Sequence, residues 1–263
     1  MNIKLGACAP FTMADHVASV GGTHIESGFA MYTNKSDEDF AKERAILLAS
    51  PLRTYSMNSM LPGDFALYGT EEDSRAVCEF VRRGMERAAS VECKSVCMGS
   101  GKARSIPEGM SRDEAADRLA TLCARFCVIA AEYDIKVAIE PLRAAETNFI
   151  HTLDDAYDII RRVPECKNLG INPDMYHMYQ GNDDFSNLIK LKDYVFNVHI
   201  AEPINRSFPK PGDAECDRLY VEFFTALNKS GYTGNVSVEA ITKDFAGEVG
   251  PTLAYLNEIA ANI

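Results

Sequence analysis

VAIE, at Val137–Glu140, is a short run of β-branched and small apolar residues that ends abruptly in a carboxylate. Three other stretches repeat this pattern of an apolar run followed by a residue that can bind a divalent cation: LGINPD at Leu169–Asp174, VFNVH at Val195–His199 and VSVE at Val236–Glu239. Each is typical of a buried strand bounded by polar or turn-forming residues. If these strands are parallel neighbours in one sheet, their last side chains face the same edge, where a hard metal ion could lie between them.

Four earlier segments have the same strand-like character, and helical patterns separate successive strands. These predicted strands are Ile3–Cys8, His24–Glu26, Leu52–Met57 and Ser95–Met98. Eight strands alternating with helices, at roughly 30 residues per unit, predict a parallel (β/α)8 barrel with its active site at the carboxyl ends of the strands. The alternative is an open doubly wound sheet, but the first strand-to-helix turn, Ala9–Met13, lacks the glycine-rich phosphate cradle. Because no linker interrupts the pattern, we expect a single barrel domain over residues 1–263.

Four predicted helices begin with a hydroxyl residue that is followed three residues later by an acid. The pairs are Ser36/Asp39, Thr70/Asp73, Ser111/Glu114 and Thr152/Asp155, of which only Ser111/Glu114 matches the strict capping-box sequence. The helix after Ser111 carries an apolar stripe at three- and four-residue steps, made of Ala115, Leu119, Leu122, Phe126, Ile129 and Tyr133. Such a stripe predicts a helix that packs one face against a sheet.

Composition limits the classes of function. The chain has 263 residues, 46% of them hydrophobic, so it can bury a sizeable core. Its formal net charge of -11 argues against binding nucleic acid or an anionic membrane through bulk electrostatics. The eight cysteines include no Cys-x-x-Cys pair, so no zinc ribbon or redox motif is indicated. No apolar run reaches the roughly 18 residues of a membrane span and no signal-peptide pattern opens the chain, so we predict a cytoplasmic protein.

With these residues in hand, the chain resembles the xylose-isomerase-like superfamily of barrels and, within it, the sugar phosphate isomerase/epimerase and ketose 3-epimerase group. The resemblance covers essentially the whole chain and is strongest in four segments: Ile139–Phe149, Asn172–Met178, His199–Pro203 and Val238–Glu239. The segment Gly99–Gly109 is also similar to the loop after the fourth strand in these proteins. Each motif is weak alone, but together and in this order they are fairly specific.

The resemblance implies one divalent metal ion, manganese first and magnesium or cobalt as alternatives. Its ligands would be Glu140, Asp174, His199 and Glu239. The two glutamates would also form the catalytic acid/base pair. Three further residues match positions that hold or orient the substrate: His177, Arg206 and Glu146.

The implied reaction is proton transfer at a carbon next to a carbonyl, through a cis-enediolate whose charge a metal stabilises. One carboxylate takes the proton and a second, on the other face of the carbon, returns one, which inverts the centre. Glu140 and Glu239 come from strands five and eight, so they could flank a small sugar, either a ketose or a sugar phosphate. This predicts a metal-dependent sugar isomerase or epimerase.

Three other functions remain open from the sequence. A metal-dependent lyase or dehydratase acting on a keto-sugar or keto-inositol, including cleavage of an oxidised C-glycoside, would share the enediolate. An abasic-site endonuclease has relatives with this barrel, but those enzymes assemble a zinc cluster with many more histidines than the five present here. A barrel that binds sugars without reacting is the last. The predicted partner is a sugar, with no nucleic acid and no membrane, and a homo-oligomer is compatible with the sequence.

Several candidate residues also have a plainer structural explanation. Asp174 could be a turn or helix N-cap residue, and His199 could be a satisfied core histidine. Glu146 could form a surface ion pair with Arg143, and Arg206 could be an exposed loop charge. Two residues at the end of the second strand, His24 and Glu26, could face the same rim, where we expect a structural role.

Overall fold

The computed structural model describes all residues from 1 to 263. Its eight strands are β1 Lys4–Cys8, β2 Ile25–Gly28, β3 Ser56–Asn58, β4 Ser95–Met98, β5 Lys136–Ile139, β6 Leu169–Ile171, β7 Val198–Ile200 and β8 Asn235–Val238. All the strand pairs are parallel, in the order β6-β5-β4-β3-β2-β1-β8-β7. Two parallel bridges, Ile171 to Val195 and Asp174 to His199, join the β6 and β7 segments and close the sheet. The predicted (β/α)8 barrel is confirmed.

Helices follow the strands and cover the outside of the barrel. They are α1 Ala14–Ser19, α2 Phe29–Asn34, α3 Asp37–Ala49, α4 Glu71–Ala89, α5 Gly101–Arg104, α6 Arg112–Ala131, α7 Leu153–Ile160, α8 Met175–Gln180, α9 Asn187–Lys190, α10 Ala214–Ser230 and α11 Phe245–Ala261. The predicted stripe of α6 is buried from Ala115 to Ile129, and Tyr133 lies just beyond the end of the helix. No helix combines the length and apolar composition needed to cross a bilayer.

Alternate residues along each strand face the helices, and these positions are apolar. They belong to one continuous buried cluster with the helices: Leu5, Ala7, Ile25, Met57, Val96, Met98, Val137, Ile139, Leu169, Ile171, Val198, Ile200, Val236 and Val238. Because side chains alternate between the two faces of a strand, the intervening residues point into the barrel.

The interior positions carry small or polar residues. Contacts between distant strands demonstrate this, since Ser237 Oγ donates to Glu26 Oε2 at 2.6 Å and Asn58 Nδ2 donates to Glu239 Oε1 at 2.6 Å. A Cβ at Gly6 would lie 2.4 Å from the carbonyl oxygen of His24, so a glycine on β1 leaves room for the neighbouring strand. Barrels of this fold usually fill their interior with Val, Ile and Leu, so a polar interior sets this one apart.

Several strand boundaries differ from the sequence prediction, those of the third and seventh strands among them. The third strand spans Ser56–Asn58, whereas the sequence predicted Leu52–Met57, although the carbonyls of Arg53 and Tyr55 already accept from the backbone amides of Ile25 and Ser95. His199 is the central residue of β7 and not its last, because its backbone pairs with Pro173 and Asp174 on the neighbouring segment.

The capping-box prediction was wrong in its choice of helix. Reciprocal capping boxes form at Thr70 and Thr152, each with the aspartate three residues later. Ser111 accepts from the backbone amide of Glu114, but the Glu114 carboxylate pairs with Arg118 at 2.9 Å instead of turning back to the cap. The longer glutamate side chain therefore joins a helix-surface ion pair.

Candidate metal centre

Three acids and one imidazole converge at the carboxyl ends of β5 to β8. One ligand atom each from Glu140, Asp174, His199 and Glu239 lies within 4.8 Å of the others. His199 Nδ1 is 2.9 Å from Glu140 Oε1 and 3.4 Å from Glu239 Oε2. Asp174 is also the N-cap of α8, where its Oδ1 accepts from the backbone amide of Tyr176 at 2.8 Å. The structural reading of Asp174 therefore holds beside the coordinating one, because Oδ2 remains for the cluster.

The chemistry of this donor set fits a divalent cation. Carboxylate oxygens suit magnesium and manganese, and an imidazole extends the preference to cobalt and other first-row metals. Glu140 is 5% exposed, Asp174 is 1% exposed and His199 is fully buried. Buried carboxylates this close together are stable only when protons or cations offset their charge.

The electrostatics of the cluster reflect an excess of acid. Burial raises the pKa of Asp174 to about 7, although the nearby Arg206 opposes this shift. Burial also raises the pKa of Glu239, but His199 and Arg206 outweigh it and hold this pKa well below its usual range. A bound cation would favour the ionised form of Asp174 and so oppose the effect of burial on this pKa.

His177, on α8, directs an unused hydrogen-bond donor at the cluster. Its Nε2 lies 3.7 Å from Asp174 Oδ2 and has no hydrogen-bond partner, although the side chain is 1% exposed. Its Nδ1 accepts from the backbone amide of Arg143 at 3.3 Å. Burial lowers the pKa of His177 to about 2, so the ring is neutral and its proton is on Nε2. An orphaned buried donor of this kind fits a ligand oxygen.

Arg206 and Glu146 form one wall beside the cluster. Arg206 Nη2 is 2.6 Å from Glu239 Oε2, and its Nη1 is 3.5 Å from Glu146 Oε1. Glu146 also pairs with Arg143 at 2.9 Å, as its structural explanation expected. Both guanidinium groups lie over the ring of Tyr176, each 5.2 Å from its centroid. The structure therefore places Arg206 against a predicted ligand and does not leave it as a free loop charge.

Sequence reasoning missed several neighbours of the predicted ligands. Asn58 donates to Glu239, and Cys97 Sγ–H donates to Glu140 Oε2 at 3.4 Å. A Cβ at Gly99 would lie 2.4 Å from Glu140 Oε2, so only glycine leaves space for that carboxylate. The sequence feature that could have identified these neighbours is the two-residue alternation along β3 and β4. Apolar residues there face the helices, and the small or polar residues between them point into the barrel.

Backbone strain is concentrated in the loops of this rim. Seven residues other than glycine have positive φ, and four of them follow β3, β4, β5 and β7: Ser59 (52°), Ser100 (38°), Ile150 (63°) and Arg206 (58°). The left-handed conformation is costly for residues with a Cβ, most of all for a β-branched one such as Ile150. Such strain persists where surrounding contacts over-determine it and clusters at functional sites.

Comparison with known proteins identifies the family and the fold of this chain. The family model described as xylose isomerase-like TIM barrel matches residues 14–259. No curated protein matches the sequence. The E. coli 3-keto-D-glucoside 4-epimerase in its apo form is 21% identical, with a TM-score of 0.82 over 97% of this chain and 99% of that chain. The D-psicose 3-epimerase of Clostridium cellulolyticum H10 with D-tagatose is 16% identical, with a TM-score of 0.82 over 98% and 99%. An L-ribulose 3-epimerase is 16% identical, with a TM-score of 0.83 over 99% and 95%.

Identities this low establish a shared fold and leave the reaction to the site itself. The family match over most of the chain bears out the resemblance that the sequence motifs carry. The chain belongs to the xylose isomerase-like TIM barrel family.

Proposed function

We propose that this protein is a divalent-metal-dependent isomerase or epimerase of a small sugar, a ketose or a sugar phosphate. The observation that carries the proposal is the convergence of Glu140, Asp174, His199 and Glu239, with ligand atoms within 4.8 Å of one another. The solved structures that the chain resembles support it, since three of them are named as epimerases of keto-sugars or ketoses.

These four residues would hold the cation, with manganese first and magnesium or cobalt as alternatives. When bound, a divalent cation offsets negative charge on the substrate oxygens as a proton leaves the adjacent carbon. Glu140 and Glu239 would remove and return that proton. Each carboxylate is already held by a neutral donor, Cys97 for Glu140 and Asn58 for Glu239, so its orientation is fixed before a substrate arrives.

Three further residues would bind the sugar. His177 would donate its free Nε2–H to a substrate oxygen, and Arg206 would supply positive charge beside the same oxygens. Glu146 would help to orient the sugar, in part by holding Arg206, whose Nη1 is 3.5 Å from Glu146 Oε1. Arg143 and Arg206 both contact Oε1 of Glu146, so this carboxylate offsets the repulsion between the two guanidinium groups.

We further propose that residues 1–263 form a single barrel domain that acts in the cytoplasm on a sugar and binds neither nucleic acid nor a membrane. The formal net charge of -11 supports the exclusion of polyanionic partners. Association into a homo-oligomer is compatible with this function.

The test is proton exchange at the substrate carbon. The manganese-loaded protein is incubated in D2O with a panel of ketoses and ketose phosphates, and deuterium incorporation and product are followed by NMR. We expect one member of the panel to exchange and to change configuration or carbonyl position. Glu140→Gln and Glu239→Gln should each lower the rate by about 10²–10⁴-fold, the usual contribution of general acid–base catalysis.

Asp183→Asn is the matched control for these two variants. Asp183 is also a buried carboxylate, but it accepts from the backbone of Leu153 and the side chain of Asn187, away from the strand ends. The Asp183→Asn variant should have a lower free energy of unfolding and an unchanged turnover rate. Full activity in either glutamine variant would refute the two-carboxylate mechanism, and release of water or an aglycone from the substrate would assign an elimination instead.

A further inference from the structure

A carboxylate outside the ligand cluster lies on the opposite side of the His199 ring from it. Glu26, on β2, is fully buried, and its Oε1 is 3.0 Å from His199 Nε2. The other ring nitrogen, Nδ1, faces Glu140 and Glu239. The imidazole thus contacts Glu26 through Nε2 and the carboxylates of the ligand cluster through Nδ1.

Glu26 is itself held by donors from three different parts of the barrel. Ser56 Oγ donates to Oε1 at 3.1 Å, Asn197 Nδ2 donates to Oε2 at 3.1 Å and Ser237 Oγ donates to Oε2 at 2.6 Å. A carboxylate that receives hydrogen bonds on both oxygens acts as an acceptor, so the remaining contact requires a proton on His199 Nε2.

Ser237, one of the donors to Glu26, is itself held by His24. The single hydroxyl proton of Ser237 is directed at Glu26, so its oxygen accepts from His24 Nε2, 2.9 Å away. His24 fills the space left by Gly6, and both residues are enclosed by the barrel. Because every group in this chain is buried and bonded across strands, Glu26 has no freedom to turn away from His199.

We propose that Glu26 is a positioning residue that holds the proton of His199 on Nε2, so that the lone pair of Nδ1 is directed at the divalent cation. The inference rests on the proposed metal site and adds to it the tautomer and the residue that sets it. A neutral imidazole has one N–H and one lone pair, so fixing one nitrogen as the donor makes the other the ligand. A carboxylate in this position also increases the basicity of the ligating nitrogen.

Metal affinity and tautomer are measured separately. Manganese binding to the apo protein is titrated calorimetrically, and the tautomer of His199 is read from long-range ¹⁵N–¹H correlations in ¹⁵N-histidine-labelled protein loaded with diamagnetic magnesium. In Glu26→Gln we expect a dissociation constant about 10–100-fold higher, the usual cost of removing such a partner, and loss of the pure Nε2–H pattern. A merely structural role would lower the unfolding free energy of the apo protein and leave both readouts unchanged, which would overturn the proposal.

Two companion variants make the outcome unambiguous. Asp174→Asn removes a proposed ligand: weak binding there with normal binding in Glu26→Gln overturns the positioning role alone, whereas normal binding in both overturns the metal site. If Glu26→Gln does not fold, Ser56→Ala removes one donor to the same Oε1 that His199 contacts. It should raise the dissociation constant by about 2–10-fold, and an unchanged value would also overturn the proposal.

Discussion

The two faces of the same eight strands carry opposite chemistry. The face towards the helices is apolar, as in Val236 and Val238 of β8, and merges with the helices into one buried cluster. The inward face of that strand carries Ser237 and then Glu239, which bond to other strands across the barrel. A two-residue repeat therefore separates the residues that stabilise the barrel from those that form its site.

The polar face is stable because its members bond to one another. Unsatisfied polar groups inside a protein are costly, and most interior groups here have a partner. The side-chain atoms without a partner are Ser95 Oγ, Arg104 Nε and Nη2, Asn172 Nδ2, His177 Nε2, Asn197 Oδ1 and Tyr220 Oη, and of these His177 Nε2 lies 3.7 Å from Asp174 Oδ2. His177 Nε2 is therefore the unpartnered donor beside the cluster, where a ligand oxygen would complete its hydrogen bonding.

The sharpest test of this separation uses two adjacent residues of opposite face. Ile139 faces the helices, and Glu140 faces the cluster. We expect Ile139→Ala to lower the unfolding free energy by about 2–5 kcal/mol, because it leaves a cavity in the apolar cluster. Manganese affinity of the folded molecules should stay unchanged. Urea unfolding and metal titration measure the two effects, and weaker metal binding by folded Ile139→Ala would show that the faces are coupled.

The polar interior should also make stability depend on pH. Burial lowers the pKa of His24 to about 4, whereas the pKa of a histidine in the unfolded chain is about 6.5. Between these two pH values the unfolded chain binds a proton at His24 and the folded chain does not. The free energy of unfolding therefore falls as the pH drops from about 6.5 to about 4, by about 3 kcal/mol in total. His24→Gln should remove this part of the loss. Parallel stability curves for the apo wild type and variant between these pH values would contradict it.

The missing side chain of Gly99 leaves the space that the Glu140 carboxylate occupies. Because a Cβ at Gly99 would lie 2.4 Å from Glu140 Oε2, Gly99→Ala must displace that carboxylate by about 1 Å. We expect kcat/KM for the substrate found by exchange to fall about 100-fold, as for similar misplacements of catalytic groups. Gly63→Ala is the control, since its Cβ would meet only the flexible side chain of Lys102. Equal activity of the two variants would rule out this steric role.

The smallest expected effect concerns a single hydrogen bond. Asn58→Ala removes the donor to Glu239 Oε1, and we expect kcat/KM to fall about tenfold because the carboxylate loses one restraint. Asn187→Ala removes a similar bond, to Asp183 at 2.7 Å, outside the cluster. That control should lose stability without losing activity. The reverse pattern would mean that Asn58 acts on the fold and not on the site.

Local patterns were sufficient to predict most of the architecture. The stripe on α6 and the apolar runs of β4, β5 and β8 lie within a residue of where the sequence places them. The third strand was predicted to begin at Leu52 but begins at Ser56, because a propensity for extended backbone does not show where continuous pairing with both neighbours begins. Element boundaries depend on such individual contacts more than on periodicity.

Partners across the barrel could not be predicted in the same way. The bonds from Asn58 to Glu239 and from Asn197 to Glu26 join residues 181 and 171 positions apart. No local pattern encodes such pairs, and neither His24 nor Glu26 gave more than a strand-end position. Their roles became visible only once the register of all the strands was known.

The sequence by itself determined the alternation of strands and helices and the position of three acids and an imidazole at or beside the ends of four strands. Only the tertiary structure decided that Nδ1 of His199 faces the ligand cluster and that Nε2 contacts Glu26. The physical reason is register: a shift of one residue in any strand would exchange its inward and outward side chains. Closure of the barrel fixes that register, and with it the chemistry of the interior.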